Sequence, residues 1–231
     1  MTDKKASPSC TISYNANNCF SKLNDEELHL LEKNRLEVVY KKGETICKQG
    51  TFATHIMYIC EGLVKVYIEN DLATLTLKIL PEGNLIGLSS IYEGSNVFQY
   101  SAYGYQDCRI QLMDINIFRQ LLKQNAEFAS EVINILCNNS TQTYTRFFCL
   151  THKQSYGRMA DILLCLACRI YNNNEFDLQL SRKELADLTG MSAENAIRIL
   201  KKFKEDKLID ITGKKYTILD PEKLQYISDK G

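Results

Sequence analysis

No charge of one sign dominates this chain: 28 Lys and Arg stand against 28 Asp and Glu in 231 residues. That balance excludes a protein coated in basic charge to hold nucleic acid over its whole surface. No run of about 18 apolar residues occurs, and the opening stretch MTDKKASPSCTISYNANNC has no apolar core. Neither a membrane span nor a secretory leader is therefore expected, and the expectation is a cytoplasmic protein with no membrane partner. Tandem repeats and low-complexity blocks are absent. No phosphate loop, Ser/His/Asp set or paired-carboxylate cleft is visible, so the chain is expected not to be an enzyme and no catalytic residue is nominated. Histidine is scarce and scattered: His29, His55 and His152 read as surface residues, with haem-iron ligation as the other role one of them could take.

What is present is organised around Leu180 to Phe203, LSRKELADLTGMSAENAIRILKKF. Ser181 and Glu184 have the spacing of a capping box, Leu185, Ala186 and Leu188 form an apolar stripe, and Gly190 supplies a left-handed helix end. Ser192 then caps a second helix, with Ala196, Ile197, Ile199, Leu200 and Phe203 as its inner face. Ala193, Glu194, Asn195, Arg198, Lys201 and Lys202 form the outer one. Two short helices joined by a glycine turn are the unit that seats its second helix in a DNA major groove. Glu194 and Arg198 stand four apart, so both point from one face of the first turns. A carboxylate accepts from cytosine N4 and a guanidinium donates to guanine O6 and N7, so the pair suits adjacent base pairs. The alternative is an ordinary helical hairpin with a Glu194–Arg198 salt bridge. From Arg198 to Lys215 basic residues outnumber Glu205, Asp206 and Asp210, the footprint expected of phosphate contacts.

The rest of the chain is that of a soluble globular protein, 45% hydrophobic. Residues 1–20 are polar and Ser/Asn-rich and are expected to be flexible unless tied down. Leu23, Leu28, Leu31 and Leu36 mark a short amphipathic helix. From Val38 short strand-like runs alternate with glycine turns, which predicts a closed antiparallel sheet. Helix follows from Ile115. Ala129, Ile133, Leu136, Ser140, Thr143, Phe147 and Leu150 form a heptad seam for a second subunit, while Phe128, Val132 and Ile135 are left to pack on the sheet. Ser155 to Tyr171 reads as a buried helix, and Lys207 to Leu219 as two strands around a Gly-Lys-Lys turn, a wing. The expected fold is α+β, with four parts. They are a flexible 1–20; a double-stranded β-helix (jelly-roll or β-roll) sensor domain, 21–125; a long dimerisation helix, 126–150; and a winged helix-turn-helix, 151–231.

In this order and length, KKGETICKQG, YICEGLVKVY, LPEGNLIGL and the helix-turn-helix resemble the Crp/Fnr family of bacterial transcription regulators over about residues 21–219. The resemblance implies a homodimer that binds an inverted-repeat promoter site on double-stranded DNA, with RNA polymerase as a further partner. It places Glu194 and Arg198 on the base-reading positions, and Ser181, Arg182, Ser192, Asn195 and Lys214 on positions that touch phosphates. Ala193 stands where the cyclic-AMP receptor type has arginine, and Ile197 where the Fnr type often has serine.

The same resemblance sets the effector pocket at Gly87, Leu88, Ser89, Tyr100, Ser101, Thr143 and Tyr144. Cyclic-nucleotide binders carry Gly-Glu and Arg-Ser pairs where this chain has Gly87-Leu88 and Tyr100-Ser101. Losing the Glu and the Arg removes charge-assisted contacts of about 1.5–3 kcal/mol each. The expected signal is therefore something other than cyclic AMP, and its identity stays open. The Fnr type holds an iron–sulfur cluster on three N-terminal cysteines and one late in the roll. Cys10, Cys19 and Cys108 match three of those positions, with Ser13 at the fourth. A cluster- or haem-dependent redox or gas sensor is thus one alternative, and a cytosolic ligand-binding protein without DNA activity another. Cys165 and Cys168 sit in an apolar helix and read as core. An odd count of nine cysteines favours free thiols or metal ligands over a disulfide framework.

Overall fold

A computed structural model describes residues 11–13, 19–71, 73–94 and 96–231. They form two compact units. The roll unit comprises the described residues of Tyr14–Ala73 with Ile79–Ser140; the helical unit comprises those of Met1–Ser13 with Thr74–Lys78 and Thr141–Gly231.

The roll unit opens with α1 (Asp25–Lys33), whose start is fixed by a capping box: Asn24 accepts the Glu27 N–H at 2.9 Å and Glu27 accepts the Asn24 N–H at 3.0 Å. The strands follow as β1 (Arg35–Tyr40), β2 (Thr45–Cys47), β3 (His55–Glu61), β4 (Leu63–Glu69), β5 (Thr74–Pro81), β6 (Leu85–Ile86), β7 (Ser101–Gly104) and β8 (Cys108–Asp114). They make two sheets, ordered β1-β8-β3-β6 and β2-β7-β4-β5. Each sheet joins strands distant in the chain, as the β-roll reading expects. Ile56, Ile59, Val64, Val66, Ile86, Ala102 and Ile110 are buried in the core. Between β3 and β4 the chain turns at Gly62 with φ +112, and a Cβ there would stand 2.6 Å from Cys108 Sγ. Only glycine fits.

Asp114 ends the roll by accepting the N–H groups of Asn116 and Ile117 at 2.7 and 3.2 Å, which starts α2 (Ile115–Gln124). The long helix α3 runs from Ala126 to His152. Phe128, Val132 and Ile135 are buried, and Phe128 packs on Phe118 with ring centroids 5.2 Å apart. On the predicted seam Ile133 is 57% exposed and Phe147 68%.

The helical unit continues with α4 (Ser155–Cys165), which widens into a π-helical stretch at Leu166–Ile170. Then come β9 (Glu175–Asp177), α5 (Arg182–Thr189), α6 (Ala193–Glu205), β10 (Ile209–Thr212), β11 (Lys215–Ile218) and α7 (Pro221–Lys230). The wing is a three-stranded sheet, β10-β11-β9. Two of these elements were not expected. Glu175–Asp177 forms β9, with Phe176 directly opposite the buried Tyr216. Beyond the wing Asp220 accepts the Lys223 N–H at 2.9 Å and starts α7.

Part of the N-terminal stretch is tied down, the condition under which it was not expected to be flexible. Thr11, Ile12 and Ser13 are buried. Arg146 donates to Thr11 Oγ1 at 3.3 Å, to the Thr76 carbonyl at 3.3 Å and to the Leu188 carbonyl at 2.7 Å. Arg169 donates to the Ile12 carbonyl, and Ser13 Oγ donates to Gln142 Oε1 at 3.0 Å. A buried guanidinium requires acceptors, and the short N-terminal stretch supplies some of them. Cys165, expected as a core thiol, is buried but disulfide-bonded, and Cys168 is exposed.

Candidate nucleic-acid interface

The predicted caps form. Ser181 Oγ accepts the Glu184 N–H at 3.2 Å, and Glu184 accepts the Ser181 N–H at 2.6 Å. Gly190 closes α5 with φ +62. Ser192 caps α6 by accepting the Asn195 N–H at 3.2 Å. Ala196, Ile199, Leu200 and Phe203 are buried against the rest of the unit. Their burial turns the opposite face, with Glu194 and Arg198, outward.

Glu194 and Arg198 form no ion pair with each other among the described residues. The N–H of its own residue and the Ser192 hydroxyl hold the Glu194 carboxyl below the usual carboxylate range. Arg198 donates to Asn195 Oδ1 at 2.8 Å. Asn195 thereby orients the arginine through its side-chain oxygen. Ile197, expected on the inner face, is 52% exposed beside them. The 3.6-residue period places it at the edge of the apolar stripe, where packing of the neighbouring elements decides the outcome.

The basic footprint is smaller than the residue count suggests. Lys201, Lys202 and Lys204 pair with Glu205, Asp206 and Asp210 at 3.8, 2.9 and 2.9 Å, and Lys215 pairs with Glu175. Exposed pairs of this kind are worth about 0–1 kcal/mol, so a phosphate can displace the carboxylate. Lys214 makes no ion pair among the described residues and sits exposed at the wing tip, after Gly213 with φ +63. Arg182 is half-buried against the Tyr216 ring.

The effector-pocket residues divide. Gly87, Ser89 and Tyr100 converge: the Gly87 N–H donates to the Tyr100 hydroxyl at 2.8 Å, and Ser89 bonds the same hydroxyl, whose pKa burial pushes up. Leu88 is buried beside them. Ser101 faces a carboxylate, donating to Glu69 Oε1 at 3.1 Å while accepting the Gln49 N–H at 3.0 Å. Lys48 pairs with that Glu69. Thr143 and Tyr144 belong to the helical unit, exposed on α3. Sequence reasoning missed Glu69 and Lys48, which carry no motif and reach Ser101 only through the sheet.

Of the cluster candidates, Cys10 lies outside the described residues. Burial pushes the Cys19 thiol up to about 12, and Cys108 donates to the Gln106 and Leu63 carbonyls at 3.2 and 3.7 Å. Both are packed thiols in the free protein, and iron would have to displace their protons to take them as thiolates. Among the described residues no group of three or more His, Cys, Asp or Glu is placed to hold a metal ion. With a pKa near 12, Cys19 and Cys47 are thiolate in only about one molecule in ten thousand at pH 8. Iodoacetamide at that pH is expected to label the exposed Cys168 and spare both, as read by peptide mass spectrometry; equal labelling of Cys19 would contradict its packing.

Comparison with known proteins matches residues 37–125 to a cyclic nucleotide-binding domain and residues 157–227 to a Crp-like helix-turn-helix domain. The chain is 26% identical over 191 residues to the global nitrogen regulator of Synechococcus elongatus, covering 79% of this chain and 85% of that one. It is 25% identical over 179 residues to the cAMP-activated global transcriptional regulator CRP of Salmonella typhimurium, covering 76% and 85%. In fold it matches the crystal structure of a crp/fnr-family transcriptional regulator from Eubacterium rectale with a TM-score of 0.76 at 21% identity, covering 92% of this chain and 98% of the other.

Proposed function

This chain belongs to the Crp/Fnr family of DNA-binding transcription regulators, and on that premise we propose that it acts as a homodimer on an inverted-repeat promoter site, under a signal other than cyclic AMP. The observation that carries the reading is the outward face at the start of α6, where Arg198 is held ready by Asn195 and Glu194 by its helix cap. Two copies related by a two-fold axis would set two α6 helices about one DNA turn apart. The exposed Ile133 and Phe147 of α3 supply the apolar seam for the second copy. Arg182, Ser181, Ser192 and Lys214 would meet backbone phosphates. RNA polymerase is the further partner, and the cytoplasm is the compartment in which both partners are met.

The test is a gel shift on a duplex carrying an inverted repeat with TGA-like half-sites, run across a salt series. Selective binding whose affinity falls steeply with salt is expected. Equal, salt-insensitive affinity for repeat and scrambled duplex would favour a ligand-binding protein without DNA activity.

The pocket supports a signal other than cyclic AMP. Tyr100 takes up the Gly87 N–H, and Glu69 brings a negative charge to Ser101, where the resemblance sets a cyclic phosphate. Cyclic AMP is therefore expected to leave the melting temperature and the DNA affinity unchanged. A ligand of the folded state in hundredfold excess over its Kd would stabilise by about 2.7 kcal/mol, so a thermal shift at micromolar cyclic AMP would overturn this reading.

A further inference from the structure

A file of flat side chains links the wing to the first helix of the helix-turn-helix. Tyr171 and Phe176 stack with centroids 4.6 Å apart and 7° between planes; Phe176 and Tyr216 follow at 6.0 Å and 9°. The register of β9 and β11 sets the second step, since Tyr216 stands directly opposite Phe176 and opposed residues share a face. The file ends on a cation: the Arg182 guanidinium carbon lies 5.0 Å from the Tyr216 centroid. The approach to α5 is tied to the same file. Tyr171 Oη accepts the Gln179 N–H at 3.2 Å, and the Leu178 N–H donates to the Lys214 carbonyl at the wing tip at 2.8 Å.

The Tyr216 hydroxyl is buried with no hydrogen-bond partner. What this residue gives its surroundings is its ring face. Arg182 makes no ion pair among the described residues, so the ring is what holds its head. A guanidinium resting on a π face keeps its in-plane N–H donors at its edge, open to a bidentate oxyanion. An arginine already confined in this way has less rotamer freedom to lose on meeting a phosphate.

We propose that Tyr216 is a positioning residue for DNA binding: its ring, backed by Phe176 and Tyr171, holds Arg182 at the start of α5 for a backbone phosphate. The proposal rests on the regulator reading and deepens it, because it makes the wing act on DNA through the first helix as well as through Lys214. A phosphate contact carries no base information, so its loss weakens every sequence alike.

The test measures binding of full-length protein to the inverted-repeat duplex and to a scrambled duplex across a salt series. Tyr216→Leu is expected to weaken both about fivefold and to lower the salt slope by about one. Arg182→Ala should do the same, and the double variant should be no weaker than Arg182→Ala alone. Tyr216→Phe should bind as wild type does. Additive losses, an unchanged slope in Tyr216→Leu, or a Tyr216→Phe variant as weak as Tyr216→Leu would each overturn the proposal. Should Tyr216→Leu fail to fold, Arg182→Lys decides, since it keeps the charge without the planar fork. Binding near that of Arg182→Ala supports the proposal, and wild-type binding overturns it. A wild-type protein that binds neither duplex at low salt overturns the regulator reading as well; binding by wild type with an indifferent Tyr216→Leu overturns this proposal alone.

Discussion

Replacing Lys153 with methionine is expected to destabilise the helical unit by about 3–5 kcal/mol, the cost of removing one partner of a buried ion pair. Lys153 Nζ lies 3.5 Å from Asp161 Oδ2, with side chains 12% and 3% exposed. Ser228 donates to Asp161 Oδ1 at 3.1 Å, Lys153 donates to Ser228 Oγ at 3.1 Å, and the Cys149 thiol lies 3.7 Å from the same carboxylate. The network therefore ties α3, α4 and α7 together. The contrast with Lys41–Asp107 is one of burial, for that pair is closer, at 2.9 Å, yet exposed on both sides, where solvent screens the charges. Urea unfolding should show a lower midpoint for Lys153→Met at an unchanged m-value. Lys153→Met with Asp161→Leu should recover most of the loss, because an apolar pair of similar volume needs no partner charge. If the double variant stays as unstable as the single one, charge pairing is not what Lys153 contributes.

The second large effect is on reading DNA. Arg198→Ala is expected to cost about 1–3 kcal/mol of binding, confined to one base pair of each half-site, where the guanidinium would hold a guanine. Glu194→Ala should relax the neighbouring cytosine preference by a similar amount. Asn195 adds a condition that the sequence reading lacked. It holds Arg198 at 2.8 Å in the free protein, so Asn195→Ala should weaken the same guanine contact rather than all sequences alike. Each variant is to be bound to a panel of half-sites with single base changes. If Arg198→Ala loses affinity equally across the panel, Arg198 is a phosphate contact and the proposed code is wrong.

The local parts of the site were legible because their causes lie within a few residues. Ser181 with Glu184, the left-handed Gly190 and the Ser192 cap each satisfy backbone groups no more than four positions away, and all appear as expected. The β-roll was legible as a class for a similar reason, since alternation and glycine turns are visible along the chain. Ile197 was misplaced because a helical period fixes a stripe but not its edges. The third strand of the wing was missed because Glu175–Asp177 forms only once β11 offers it an edge and an opposing aromatic.

Local sequence carried the class and order of the main parts, the caps of α5 and α6, and which face of α6 is polar. These follow from capping, periodicity and backbone conformation, all of which act at short range along the chain. What the polar groups are joined to is set by contacts between distant parts of the chain. Arg146 is held between Thr11, Thr76 and Leu188, and Arg182 rests on Tyr216. Burial pushes the Cys19 thiol up to about 12, and Tyr100 occupies the Gly87 N–H. Desolvation and hydrogen-bond demand act between groups that folding brings together from distant positions, so no local pattern records them.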